Sequence, residues 1–174
     1  MPKIVLIAGQ KRSGKDTFAK ILVDEAKLQG KTAEVMSFAE PMKDILAITL
    51  GITVKELEDL KNDASNPHRG YLQRLGTEGM KPYFGNDVWL QLTLKRIRNS
   101  NADIVIIPDF RFLEEEIGGA TTVKITRPSL QVDAADLHIS ERALDDFYFD
   151  VQVLNDGNIA NLIPHARRIV KLFC

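Results

Sequence analysis

Residues 4 to 17 constrain this chain more than any other stretch: Ile4-Val5-Leu6-Ile7-Ala8 runs directly into Gly9-Gln10-Lys11-Arg12-Ser13-Gly14-Lys15-Asp16-Thr17. A short apolar run rich in β-branched residues predicts a fully buried strand, and Phe18, Ile21, Leu22 and Ala26 recur behind it at helical spacing until Gly30 stops them. Strand, glycine loop and helix follow one another without a spare residue, so the loop sits at a helix N-terminus. Gly-x-x-x-x-Gly-Lys is the spacing of phosphate-binding loops. Gly9 and Gly14 allow backbone conformations closed to residues with a Cβ, and let N–H groups around Lys11, Arg12 and Ser13 converge on phosphate oxygens, where the helix dipole also favours negative charge. Lys15 would reach the β- and γ-phosphates. The pattern then asks for Ser or Thr as a Mg²⁺ ligand, and this chain has Asp16 first and Thr17 one place later. Either Asp16 holds the ion, directly or through water, or Thr17 does. The bland alternative is a glycine-rich turn that happens to precede a helix.

A chain of 174 residues is long enough for one core and short for two, which predicts a single domain, 1–174. Charged residues make up 27% and the formal net charge is −1, so the balance gives no general argument for binding nucleic acid or membrane. The one cysteine, Cys174, rules out an intramolecular disulfide and a cysteine-rich metal site, the profile of a reducing cytoplasmic compartment. No apolar run approaches the length of a membrane span, and the N-terminus enters a strand without a signal-peptide layout, so a soluble protein is expected.

Along the chain, residues 32–38 read as a second strand, and Pro41 fits the first turn of a helix carrying Met42, Ile45, Leu46 and Leu50 to Gly51. Lys43 lies in that first turn, where a cation is unfavourable; it is either solvated or placed to meet an anion. Residues 53–66 are polar and read as a short surface helix and a loop. Asn66-Pro67 offers a cap and first-turn proline for a helix through about Met80, with Tyr71, Leu72 and Leu75 buried. Arg69, Gln73 and Thr77 are four apart and share a face, either simply solvated or suited to a phosphate and a base edge. Asn86 caps the next helix, whose Lys95, Arg96 and Arg98 suit its C-terminal dipole. Asp103-Ile104-Val105-Ile106-Ile107 is the most hydrophobic strand and ends in Pro108-Asp109-Phe110-Arg111. A carboxylate at the carboxyl end of a buried parallel strand is where a second Mg²⁺-linked group is expected, making Asp109 the candidate unless it only caps a helix; Arg111 points into the same crevice. Residues 121–126 form a fourth strand leading into Arg127-Pro128, residues 136–141 begin a helix, and residues 149–154 form a fifth strand ending at Asn155-Asp156-Gly157. The last helix carries Ile159, Leu162, Ile163, Ile169 and Val170, with Pro164 either kinking it or marking its start.

Five apolar strands separated by helical segments predict a doubly wound α/β sheet, mostly parallel, with helices on both faces and the P-loop at its mouth. Residues of about 53–100 then form an insertion where a second substrate would be held. The size, the absence of a guanine-reading Asn-Lys-x-Asp, and arginines in three regions favour a kinase over a GTPase or motor.

The ordered set Gly-Gln-Lys-Arg-Ser-Gly-Lys-Asp-Thr at 9–17, Glu-Pro-Met-Lys-Asp at 40–44, Leu-Gln-Arg-Leu-Gly-Thr-Glu at 72–78, Ile-Pro-Asp-Phe-Arg at 107–111, Ile-Thr-Arg-Pro at 125–128, His-Ile-Ser-Glu at 138–141 and Leu-Asn-Asp-Gly at 154–157 resembles the deoxynucleoside monophosphate kinases of tailed bacteriophages. The Lys-Arg-Ser-Gly-Lys-Asp core is also similar to animal phosphomevalonate kinase and to phage enzymes that phosphorylate hydroxymethylated pyrimidines in DNA. The resemblance implies a P-loop NTPase fold of the nucleoside monophosphate kinase kind, and transfer of the γ-phosphoryl of ATP, with Mg²⁺, to a deoxynucleoside 5′-monophosphate. It implies that Gly9, Lys11, Arg12, Ser13, Gly14, Lys15, Asp16 and Thr17 hold ATP phosphates and Mg²⁺, with Asp109 as a further metal-linked group and Asn155 near the adenine. Lys43, Arg69, Gln73, Thr77, Arg111 and His138 would face the acceptor; Arg127, before a lid at about 127–145, would clamp phosphates on closure. The partner implied is a small nucleotide, with DNA only under the alternative reading, no membrane, and a homodimer admitted. The location implied is cytoplasmic, in the host if the chain is phage-encoded. This chain is shorter than the familiar phage enzyme in its middle, which bears on base specificity. A module that binds and slowly hydrolyses ATP without transfer is the reading from another class.

Overall fold

The computed structural model describes residues 1–60, 67–130 and 143–173. The apolar run becomes strand β1 (Lys3–Ala8), buried from Ile4 to Ala8. It pairs in parallel with β3 (Ile104–Ile107) on one side and β4 (Thr121–Thr126) on the other, Leu6 lying opposite Ile107 and Thr122. β2 (Ala33–Val35) extends the sheet beyond β3, and β5 (Val151–Leu154) beyond β4. The five strands, in the order β2-β3-β1-β4-β5, are all parallel, as the pattern of continuous apolar strands requires.

Both edge strands are shorter than their apolar runs. β2 stops at Val35, although the Met36 N–H still reaches the Ile106 carbonyl at 2.9 Å; Ser37 and Phe38 then leave the ladder. At the other edge Phe149 is drawn out of the ladder to pack edge-on against Phe110 and Phe147, and the Asp150 carboxylate accepts the N–H and hydroxyl of Thr122, both at 2.8 Å.

The chain separates into two compact units, Met1–Ser37 with Arg96–Cys174, and Phe38–Lys95. In the first, α1 (Lys15–Leu28) and α7 (Ile163–Lys171) lie over one face of the sheet. There Val5, Ile7, Ile104, Ile106, Val123, Ile125 and Val153 meet Phe18, Leu22, Ala26, Ala166 and Ile169 in one core. The opposite parity, Leu6, Val105 and Ile107, is also fully buried, so the sheet is covered on both faces. α1 ends as the sequence predicts: Gly30 N–H returns to the Lys27 carbonyl and Lys31 N–H to Ala26, a Schellman closure. Pro164 marks a start, not a kink: a 3₁₀ turn (Ile159–Leu162) gives way to α7 with the proline in its first turn.

The second unit contains α2 (Glu40–Leu50), α3 (Val54–Leu60), α4 (His68–Arg74), a π-helical turn (Leu75–Gly79), α5 (Lys81–Phe84) and most of α6 (Val88–Asn99). Leu46, Ala47 and Leu57 form its core, flanked by Ile52, Val54, Leu72 and Leu75. The expected helix from 67 to 80 is therefore present but changes to π geometry after Arg74; the cap expected at Asn66 falls outside the described residues. The buried Trp89 indole donates to the Gly76 carbonyl at 2.9 Å, and a Cβ at Gly76 would press on the Met42 methyl at 2.9 Å. The turn is thus fixed by its neighbours within the unit. Among the described residues no helix is long and apolar enough to cross a membrane.

Candidate active site

β1 occupies the middle of the sheet, and its connections lead to β2 and β3 on one side while β4 and β5 lie on the other. Ligands in open α/β sheets collect at the carboxyl ends of the strands where the winding changes direction. Gly9 to Gly14 leaves β1 at that place.

The loop has the backbone its sequence predicts. Gly9, Arg12 and Gly14 take φ of 150°, 66° and 100°, and the Ser13 N–H closes a turn on the Gln10 carbonyl at 3.1 Å. Positive φ at Arg12 and Gly14, on either side of Ser13, is the kind of backbone with which a loop turns successive N–H groups toward one side as an anion-binding nest. A side chain at Gly9 would collide with the Ile125 carbonyl of β4 and lie 2.8 Å from Ser13 Oγ, because the β1–β4 register carries Gly9 opposite Ile125. Gly14 is the N-cap of α1 and supplies no capping side chain, so the helix presents its first-turn N–H groups to the loop. Lys15 Nζ donates to the Gly9 and Gln10 carbonyls at 2.6 and 2.7 Å, which holds the ammonium across the loop. Ser13 Oγ is buried and has no hydrogen-bond partner among the described residues. A buried hydroxyl left unpaired costs on the order of 1–3 kcal/mol, a cost that a ligand oxygen would remove. Nest, uncapped helix, lysine and orphan hydroxyl together fit a nucleotide's phosphates.

Around α1's first turn, Gly14, Thr17, Arg127, Asn155, Asn158, Ile159 and Leu162 are among the residues that line a cleft of about 590 Å³. The lining combines polar groups of the loop end with the apolar Ile159 and Leu162 of the 3₁₀ turn, a mix that suits a phosphorylated ligand with a heterocyclic base. Asn155 lines this cleft, and its amide donates to the Ser13 carbonyl at 2.8 Å. Asn158 was not singled out by sequence reasoning and Ile159 was read only as part of the last helix; their place just after Asn155-Asp156-Gly157 is the one signal that could have pointed to them. Arg127 leaves the end of β4 with an exposed side chain, its Nε 3.3 Å from Ser129 Oγ. Asp16 is exposed and Thr17 half-buried, both in the first turn of α1.

Asp109 follows β3 at its carboxyl end, and the Phe110 N–H reaches the Ile7 carbonyl at 3.3 Å, which sets Asp109 beside the strand end from which the loop springs. The Ser37 hydroxyl donates to Asp109 Oδ2 at 2.6 Å. Ser37, 72 residues away at the exit of β2, was likewise not singled out, and no local pattern would find it. The Arg111 and Phe112 N–H groups donate to Glu115 Oε2 at 2.8 and 3.1 Å, fixing the backbone while the Arg111 side chain stays exposed. Among the described residues no group of three or more His, Cys, Asp or Glu could hold a metal ion. Mg²⁺ on a nucleotide needs only one or two protein oxygens besides the phosphates, which Asp16, Thr17 and Asp109 are able to give.

In the second unit Lys43 is neither simply solvated nor set against a ligand: its Nζ lies 2.6 Å from Glu58 Oε1. Gln73 and Thr77 are adjacent on their helix, the Thr77 hydroxyl donating to the Gln73 carbonyl at 2.8 Å. Arg69 lies in α4. His138 and most of the expected lid fall outside the described residues.

The family model described as "Deoxynucleotide monophosphate kinase" matches residues 52–165, well over half of the chain. No curated protein matches in sequence. Among solved structures, the shikimate kinase from Acinetobacter baumannii in complex with shikimate aligns with a TM-score of 0.51 at 16% identity, covering 99% of this chain and 92% of that one. The dephospho-CoA kinase from Campylobacter jejuni aligns with a TM-score of 0.47 at 16% identity, covering 99% and 97%.

Proposed function

Since the chain belongs to the deoxynucleotide monophosphate kinase family, we propose that it transfers the γ-phosphoryl group of ATP, with Mg²⁺, to a deoxynucleoside 5′-monophosphate and releases the diphosphate and ADP. The observation that carries the donor half is the loop from Gly9 to Lys15, with its nest, its uncapped helix and the unpaired Ser13 hydroxyl. These residues lie outside the matched range and so support the reading independently of it.

In this reading the loop N–H groups and Lys15 hold the β- and γ-phosphates, and the cleft by Asn158, Ile159 and Leu162 takes the base. Asp16 or Thr17, with Asp109, would hold Mg²⁺, which would supply positive charge against that building on the phosphates. An acceptor phosphate oxygen forms the new P–O bond as the bond from the γ-phosphorus to the β–γ bridging oxygen breaks. The acceptor phosphate is already ionised at neutral pH, so no side chain is asked to remove a proton. The family resemblance puts forward Arg69, Gln73, Lys43 and Arg111 as acceptor contacts and Arg127 as a donor contact. The net charge of −1 and the acidic run Glu56, Glu58, Asp59 and Asp63 favour a free mononucleotide over a DNA strand, which requires a basic track. A cytoplasmic setting, that of an infected host if the chain is phage-encoded, goes with this reading.

One screen tests it: ATP and Mg²⁺ with each common deoxynucleoside monophosphate, following ADP and deoxynucleoside diphosphate together. Stoichiometric appearance of both is expected, with modest change between low and physiological salt. ADP alone would favour slow hydrolysis without transfer, and label passing only to hydroxymethylpyrimidine-containing DNA would favour the DNA kinase.

A further inference from the structure

Asn155 stands at the end of β5, where its N–H donates to the Thr126 carbonyl at 2.8 Å, so the sheet itself sets its position. From there its Nδ2 donates to the Ser13 carbonyl at 2.8 Å, a contact spanning 142 residues of sequence. The fit is close: a Cβ on Gly14 would lie 2.5 Å from the same nitrogen. The carbonyl of Ser13 and the N–H of Gly14 belong to one planar trans peptide and point in opposite directions. Whatever holds the carbonyl therefore aims the N–H.

This peptide needs holding. It lies between Arg12 at φ 66° and Gly14 at φ 100°, ahead of the first helical hydrogen bond, which runs from Phe18 N–H to the Gly14 carbonyl. No ladder or helix bond restrains its rotation, and a flipped peptide would turn a carbonyl oxygen toward the bound anion in place of a donor. We infer that Asn155 is a positioning residue of the phosphate-binding loop: by gripping the Ser13 carbonyl it fixes the Ser13–Gly14 peptide with the Gly14 N–H turned away from Asn155, toward the concave side. In this role it acts through the loop backbone and does not read the base. The inference rests on the proposed phosphate-binding role of that loop.

The two roles separate with a ligand that has no base. Inorganic triphosphate and ATP are titrated calorimetrically into wild type, Asn155→Ala, Asn155→Leu and Lys15→Ala, and GTP into the same proteins. Leu keeps the volume of Asn without a donor, and thermal melts establish that each variant is folded at the temperature used. The expected result is a loss of triphosphate affinity of about three- to tenfold in both Asn155 variants, the size of one net hydrogen bond, with the ratio of ATP to GTP affinity unchanged. Unchanged triphosphate affinity in a folded Asn155 variant, or an altered ATP to GTP ratio, would overturn the inference. Lys15→Ala tells the two failures apart. If it weakens triphosphate binding while the Asn155 variants do not, positioning is wrong and the loop reading stands; if it leaves triphosphate binding intact, the loop reading itself falls and the inference with it.

Discussion

Replacing Arg167 by Met should reveal how α1, the helix that carries the phosphate-binding loop, is held against α7. Glu25 on α1 has a side chain only 6% exposed and accepts hydrogen bonds from Arg167 Nε at 2.9 Å and Nη2 at 3.2 Å. Hydrogen bonding from Arg167 lowers the Glu25 pKa, burial opposes that shift, and the guanidinium charge adds to it. A carboxyl whose folded pKa is depressed contributes stability above its unfolded pKa and loses it as the pH falls through the folded value. Met keeps the aliphatic stem and removes both donors, leaving an ionised acceptor in a nearly dry site. That costs about 1–3 kcal/mol for a buried group deprived of its partner. Arg167 is itself 53% exposed, so water can partly replace it and the lower half of the range applies. At about 2–4 °C per kcal/mol for a chain of this size, the melting temperature at pH 7 should fall by about 2–8 °C. With the arginine gone burial dominates, the Glu25 pKa rises, and protonation relieves the cost, so the deficit should shrink as the pH is lowered toward 4. Glu25→Gln combined with Arg167→Met should recover most of it at pH 7. Thermal denaturation followed by circular dichroism from pH 4 to 8 checks all three. A deficit below about 1 °C at pH 7, or one that is the same at both ends of the range, would refute the argument.

Lys15→Ala should lower the transfer rate by about 10²–10³-fold with the circular dichroism spectrum unchanged, since a charge in the transition state loses its partner; near wild-type turnover would sink the loop reading. Asp16→Ala should raise the Mg²⁺ concentration for half-maximal rate if the carboxylate is in the ion's shell, and Thr17→Ala should do so if the hydroxyl is; three superimposed Mg²⁺ titrations would remove both from the metal site. Trp89→Phe strips the Gly76 carbonyl of its buried donor and should cost about 1–2 kcal/mol, seen as faster amide exchange over residues 68–84; unchanged exchange there would show that the π turn does not depend on the indole.

The centre of the sheet was legible because its information is local. β1 and β3 are uninterrupted apolar runs, and β4 keeps the bounds expected of it, since each has a partner on both sides. The edges were read too long for the converse reason: with one neighbour, Ser37 and Phe149 are free to leave the ladder for Asp109 and the aromatic cluster. The loop was equally legible, since Gly9, Gly14 and Lys15 act through backbone conformation and position in the chain. What escaped were contacts between strand ends far apart in sequence, Ser37 on Asp109 and Asn155 on Ser13, which no periodicity connects. The π turn after Arg74 escaped as well, because its Gly76 carbonyl is held by the distant Trp89 indole and not by any signal within Leu75–Gly79.

Lys43 shows how magnitudes decide between an occupied side chain and an available one. Its ammonium is taken by Glu58 at 2.6 Å, which at first sight withdraws it from an acceptor phosphate. The pair is lopsided, however: the Lys43 side chain is 17% exposed and that of Glu58 53%, so the carboxylate stands in water and the contact belongs with surface ion pairs worth about 0–1 kcal/mol. An ion pair of that size opens at low cost, so it does not by itself bar the acceptor role proposed for Lys43. While closed, Glu58 offsets the helix dipole that opposes a cation in the first turn of α2.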